Sequence, residues 1–270
     1  MLRALRAQFR FLERVAPSLG ARVATRLFFQ PQRHKRPARE QALAAEGERF
    51  EVAGCAAWRF GEGPMVLLVH GWAGRGLHWN ALVKPIVEAG GQAVAIDLPA
   101  HGETPGKATS FIQAGEKLVE VLAELQPAAV VAHSFGAGAM TYASGHHPVP
   151  CVFAGGPAET MAIVDRFCQF LHVGPKTRAG LIALALQRTG RRMEEVIVSA
   201  MAAKATSPLL CIQDPEDEEV PFEETAAILS HWPGAIHQAL PGVGHYQILW
   251  KPEAVDAIMG FLYSTALRKP

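Results

Sequence analysis

Long hydrophobic runs are missing from this chain of 270 residues: none approaches the roughly 18 apolar residues that a membrane-spanning helix needs. The N-terminus also lacks the apolar segment and small-residue cleavage site of a secretion signal. Cysteine is scarce. Cys55, Cys151, Cys168 and Cys211 are scattered with no C-x-x-C pair, which argues against a zinc knuckle and a redox dithiol and leaves them to act as small buried hydrophobes. These absences point to a reducing, cytoplasmic setting. Charge is sparse as well, at 19% of residues against 49% hydrophobic, a balance suited to one compact core rather than a disordered chain.

The net charge of +1 conceals an uneven distribution. Residues 1–40 hold ten Arg and Lys against Glu13 and Glu40, so the head is strongly basic and the remaining 230 residues are acidic. In the head, Leu2, Leu5, Phe9, Leu12, Ala16, Leu19, Val23 and Leu27 recur in steps of three or four, the stripe of an amphipathic helix, with Pro17 dividing it into two. Pro31 to Pro37 is polar and bounded by proline, which reads as a linker. Two readings of residues 1–29 stand side by side. The stripe docks on the rest of the protein, or the basic helix makes a peripheral contact with anionic lipid. Docking is the favoured expectation. Nucleic-acid binding rests on the basic head alone and is not expected.

From residue 50 the pattern changes to short apolar runs separated by helical stretches. Phe50–Val52 and Ala56–Phe60 open the series. Met65–Val69, Gln92–Ile96, Ala129–Ala132, Pro150–Phe153 and Leu209–Ile212 then read as strands buried on both faces of a parallel sheet. Crossover helices are expected at Leu77–Glu88, Ser110–Leu125 and Gly136–Gly145. The interval from about 156 to 206 is longer than one crossover requires, and its helical pattern predicts a small cap inserted in a domain spanning 41–270.

Several short motifs carry chemistry. Ala132-His133-Ser134-Phe135-Gly136 lies between a buried strand and a small-residue helix, the context of a sharp turn that presents a nucleophilic serine. Ala132 stands where the usual pattern has glycine, so the side chain there is still small. His70-Gly71-Trp72 ends the strand Met65–Val69, where the backbone N–H groups of Trp72 and Phe135 would point at one developing oxyanion. No phosphate-loop pattern is present to support a nucleotide-binding reading. His245, in a glycine-containing loop after Ile236–Leu240, is the candidate general base. His70 and His133, with His101, read as loop supports, His146-His147 lacks metal spacing, and neither metal nor cofactor is expected.

Over residues 50–265 the chain resembles the α/β-hydrolase family through His70-Gly71-Trp72, the segment Asp97 to Gly102, Ala132 to Gly136, Asp214 to Pro221, and Gly242 to His245. The resemblance implies a mostly parallel sheet with helices on both faces and a Ser134–Asp217–His245 triad. It places the acid three residues before the valine of Val220-Pro221, hence Asp217 over Asp214, with Glu159 as the runner-up. Gly71 and Gly136, with His70 and His133, would support that site. Relatives that open epoxides or displace halide carry aspartate at the turn, so serine points to acyl transfer through an acyl-enzyme. Hydrolysis of a small apolar ester or thioester is the first expectation. Acyl transfer or carbon–carbon cleavage on the same triad, and a non-catalytic ligand-binding protein, are the alternatives.

Overall fold

The computed structural model describes residues 2–267. In chain order its elements are α1 (Leu2–Val15), α2 (Pro17–Phe29), α3 (Ala38–Glu46), β1 (Glu48–Val52), β2 (Cys55–Phe60), β3 (Met65–Val69), α4 (Asn80–Glu88) and β4 (Gln92–Ile96). There follow α5 (Phe111–Leu125), β5 (Ala129–His133), α6 (Phe135–Ser144), β6 (Cys151–Ala154), α7 (Thr160–Leu171), α8 (Pro175–Thr189), α9 (Val198–Ala202), β7 (Leu209–Gln213), α10 (Phe222–His231), β8 (Ile236–Ala239) and α11 (Pro252–Thr265). Two compact units emerge, one made of Met1–Pro31 with Glu159–Ile197, the other of Gln32–Ala158 with Val198–Pro270.

The larger unit holds an eight-stranded sheet in the order β1-β2-β4-β3-β5-β6-β7-β8. The pairs β1–β2 and β2–β4 are antiparallel; the others are parallel. Val66, Leu68, Val131, Val152 and Ile212 face one core with α4 and α11. Leu67, Val69, Val130, Ala132 and Phe153 face the other with α5, α6 and α10. Both faces are thus dry, which is why these strands appear in the sequence as unbroken apolar runs rather than alternating ones. The edge strands are the exceptions: β8 is exposed along its whole length and β1 over most of it. The Ser110 hydroxyl accepts from the Gln113 N–H at 3.2 Å and so caps α5 at its start. All four cysteines are free and buried, and burial raises each thiol's pKa, to about 11 for Cys55 and Cys168 and to about 12 for Cys151.

The smaller unit pairs α1 and α2 with α7 and α8. Pro17 begins α2, its fixed φ suiting a first helical turn, and α1 ends just before it. The docking partner of the N-terminal stripe is therefore the 159–197 insertion, with Phe9 and Leu12 of α1 buried. The Glu13 carboxylate accepts from the N–H groups of Lys176 and Thr177 at 2.9 and 3.0 Å, satisfying donors at the start of α8. Burial alone would raise the Glu13 pKa, but bonding to the Thr177 side chain and to those two amides outweighs it and lowers the pKa.

The segment expected to be a linker is a strap, and α3, which follows it, carries no strong periodic signal. Arg33 donates to the carbonyls of Ala100, Thr104 and Gly106, fastening the loop after β4. Arg36 pairs with Glu103 at 3.0 Å and stacks on Trp58. Arg75, in the loop after β3, donates to the Glu40 carboxylate at 2.5 Å and to the His34 carbonyl at 2.8 Å. Glu40 is 2% exposed and Arg75 8%. Charges that far from water are tolerated because each has a close partner, so loss of one leaves the other unpaired. Arg75→Met and Glu40→Leu singly should each cost about 3–5 kcal/mol in urea unfolding, the double replacement clearly less than their sum. Additive losses in the double-mutant cycle would show that the pair is not coupled.

Candidate active site

Strand β5 runs straight into Ser134, which adopts φ 49°, ψ −118° before α6 begins at Phe135. Such a backbone is rare for a residue with a side chain and costs on the order of 1–3 kcal/mol. Bonds on both sides hold it. The Ser134 N–H donates to the Ala154 carbonyl at 2.9 Å, and the Ser134 carbonyl accepts from Ala137 and Gly138. Strand β3 and its loop press against the same turn. A methyl group on Gly136 would overlap the His70 carbonyl and approach Val69 to 2.9 Å; one on Gly71 would come within 3.2 Å of the Ser134 Cβ. Glycine at these two positions is what lets the loop 70–76 close on the serine.

On the other side lies His245. Its Nδ1 donates to Asp217 Oδ2 at 2.7 Å, while Asp217 Oδ1 accepts from the N–H groups of Glu219 and Val220 at 2.8 and 3.0 Å. Burial pushes the Asp217 pKa up, but the His245 hydrogen bond and charge, with those two amides, outweigh it and hold the carboxyl ionised. With Nδ1 so engaged, the opposite ring nitrogen of His245 is the one free to exchange a proton. The His245 carbonyl accepts from His133 Nε2 at 2.9 Å, and the two rings lie 4.8 Å apart. This bond ties His245 to the residue preceding Ser134. Asp214 turns elsewhere, accepting from the N–H groups of Gly244 and Glu216 at 2.7 and 3.1 Å and so shaping the loop that delivers His245. Glu159 lies at the start of α7 in the other unit and forms an isolated bridge with Ile197.

The loops carry the remaining site residues. Asp97 binds the Gly76 N–H at 2.7 Å through one oxygen and the Glu103 N–H at 2.8 Å through the other, linking the loops after β3 and β4. His70 Nε2 accepts from the Leu98 N–H at 2.9 Å and its Nδ1 donates to the Gly71 carbonyl at 2.7 Å. Trp72, 36% exposed, meets Phe135 edge-on at 5.1 Å and His101 at 5.4 Å. Among the described residues, the N–H groups of Trp72 and Phe135 have no hydrogen-bond acceptor. Phe111 stacks on Phe135 at 4.6 Å, and Tyr246, 57% exposed, stands edge-on to His245 at 5.1 Å. Neither residue was singled out in the sequence. Phe111 belongs to a helix pattern shared with core residues; Tyr246 adjoins His245, and that adjacency was its only signal. No group of three or more His, Cys, Asp or Glu among the described residues could hold a metal ion.

Three buried histidines surround the site, and burial lowers the pKa of each: His133 to about 3, His101 to about 4, and His70 well below its usual value. Unfolded, each would titrate near 6.5, so as pH falls below that value the unfolded chain takes up protons that the folded one refuses. Their contribution makes stability fall by about 1.4 kcal/mol per pH unit for each histidine, from roughly pH 6 down to pH 4. Urea unfolding of His133→Asn across that range should show a slope shallower by about one proton than the parent's. An unchanged slope would contradict the buried, neutral assignment.

A family profile described as "Alpha/beta hydrolase family" matches residues 66–258. Among curated proteins, the non-heme chloroperoxidase CPO-A1 of Kitasatospora aureofaciens is 33% identical over 92 residues, 33% of this chain and 34% of that one. This chain thus aligns with about a third of that relative's length. Among solved structures, Rv0554 from Mycobacterium tuberculosis superposes with a TM-score of 0.63 at 17% identity, covering 78% of this chain and 94% of its own. The esterase EaEST from Exiguobacterium antarcticum superposes at 0.61 and 15% identity, covering 80% and 99%. Such identities speak for the fold, and the profile speaks for the lineage: the chain belongs to the alpha/beta hydrolase family.

Proposed function

We propose that the protein is a serine hydrolase cleaving a carboxylic ester or thioester through an acyl-enzyme, with Ser134 as nucleophile, His245 as general base and Asp217 as the acid that orients the histidine. One observation carries this reading above the others: an ionised, almost fully buried carboxylate gives one oxygen to His245 Nδ1 and the other to two amides. A carboxylate so placed holds the imidazole in the tautomer whose far nitrogen can take a proton from a serine hydroxyl. Asp214 spends its oxygens on loop amides, which is why it is assigned no catalytic role.

In the proposed cycle Ser134 Oγ attacks the acyl carbon as its proton passes to His245. The oxygen of the tetrahedral intermediate takes the N–H groups of Trp72, in the loop after β3, and of Phe135, at the start of α6, which have no acceptor among the described residues and which Gly71 and Gly136 let approach. His245 then protonates the leaving alcohol or thiol, and water repeats the sequence in reverse to release the acid. The Asp217 charge stabilises the imidazolium formed at each transfer. Trp72, Phe111 and Phe135 give the serine's surroundings an apolar, aromatic wall, which favours an apolar acyl group.

The reading is tested by labelling with a fluorophosphonate probe and by hydrolysis of chromogenic esters. Ser134→Ala and His245→Ala should abolish labelling and lower kcat by up to about 10⁶. Asp217→Asn should fall by about 10⁴, whereas Asp214→Asn should lose much less. Undiminished ester hydrolysis by purified Ser134→Ala would overturn the mechanism, and equal losses for the two aspartates would overturn the choice of acid.

A further inference from the structure

Helix α1 of the smaller unit presents two sets of apolar side chains. The face built from Phe9 and Leu12 is buried, 0% and 7% exposed, within the four-helix group. Elsewhere around α1, Phe11 is 62% exposed and Val15 60%, and Leu19 of α2 is 50% exposed. At 100° per residue, Ala4, Ala7, Phe11 and Val15 form one row along the outer side of α1, and Arg3, Arg10 and Arg14 form a second row directly beside it. All seven side chains face solvent.

A phenylalanine and a valine standing mostly in water, in line and flanked by guanidinium groups, have no role in packing this unit. Its charge is correspondingly one-sided: twelve Arg and Lys against five Asp and Glu over Met1–Pro31 and Glu159–Ile197, a net +7. Arg6 is engaged within the unit, donating to the Phe170 carbonyl at 2.7 Å and lying over that ring. Arg3, Arg10, Arg14 and Arg22 are exposed. No helix among the described residues is long and apolar enough to cross a membrane.

We propose that the outer face of α1, with Phe11 and Val15 as apolar anchors and Arg3, Arg10 and Arg14 beside them, docks the protein on the surface of an anionic lipid bilayer. The helix lies in the interface, its aromatic and valine side chains entering the acyl boundary while the arginines pair with lipid phosphates and carboxylates. An anionic lipid surface satisfies both rows at once. A second copy of the chain would have to bring its own acidic, apolar patch to the same place, and this row, being basic, cannot supply one to itself. The binding is independent of the Ser134 chemistry.

Co-sedimentation of the full chain with vesicles of phosphatidylcholine alone, and with about one-third phosphatidylserine, tests the assignment. Sedimentation should require phosphatidylserine and should disappear between about 0.1 and 1 M salt, as the screening length falls from about 10 to about 3 Å. Arg10→Gln and Arg14→Gln should each weaken partitioning roughly fivefold. Phe11→Ser with Val15→Ser should remove binding while leaving the circular dichroism, melting temperature and ester hydrolysis of the soluble protein unchanged, since both side chains are exposed. In Phe11→Trp the indole emission should shift to the blue on adding the anionic vesicles. Absence of binding to anionic vesicles at low salt, or equal binding by the Phe11→Ser/Val15→Ser variant, would overturn the proposal. So would a dimer in sedimentation velocity that this variant abolishes without any change in lipid binding.

Discussion

The backbone at Ser134 is the constraint around which the larger unit is organised. A residue with a side chain held at φ 49°, ψ −118° gains nothing locally from that geometry, so its neighbours must impose it. They do so by continuing the sheet: the Ser134 N–H is still bonded to β6, through Ala154, after β5 itself has ended, while α6 has already begun to use the Ser134 carbonyl. Strand and helix can meet so abruptly only if nothing bulky intervenes. Gly136, with Ala137, Gly138 and Ala139 after it, meets that demand on one side, and Gly71 on the other. The turn then sets the place of everything near it, because His133 carries the hydrogen bond to the His245 carbonyl.

Much of this was legible in the sequence for a physical reason. Strands covered on both faces must be apolar throughout, so β3 to β7 appear as short runs of Val, Leu, Ile and Ala bounded by breakers, and their limits fall within a residue or two of those expected. Strand β7 runs one residue further, to Gln213, whose buried amide nitrogen donates to the Val220 carbonyl while its side-chain oxygen has no partner among the described residues. Ala132 in place of glycine is harmless, for its methyl group points into the core beside Val69 and Phe153.

The strap and the smaller unit were not legible, and again the cause is physical. Residues 33–36 look like a linker because they hold no apolar pattern; their order comes from Arg33 donating to carbonyls 67 to 73 positions away and Arg36 pairing with Glu103, and sequence periodicity does not encode such bonds. Glu40, a charge in a short helix of weak amphipathicity, likewise gives no local sign that Arg75 will bury it. Glu13 has no local sign of its role at the start of α8, whose amides it meets 163 and 164 positions away. The charge division between head and body did persist, redistributed: basic residues of the insertion join those of α1 and α2 in one unit, and the sheet unit is left acidic.

The proposed mechanism requires that a single point beside Ser134 be addressed by two backbone donors and by the histidine that Asp217 orients. A crystal structure of the protein after reaction with a small alkyl fluorophosphonate tests it directly. The phosphorus should be bonded to Ser134 Oγ, with one phosphoryl oxygen within about 2.7–3.1 Å of the nitrogens of both Trp72 and Phe135. An adduct on another residue, or one on Ser134 whose phosphoryl oxygen turns away from both amides, would contradict it.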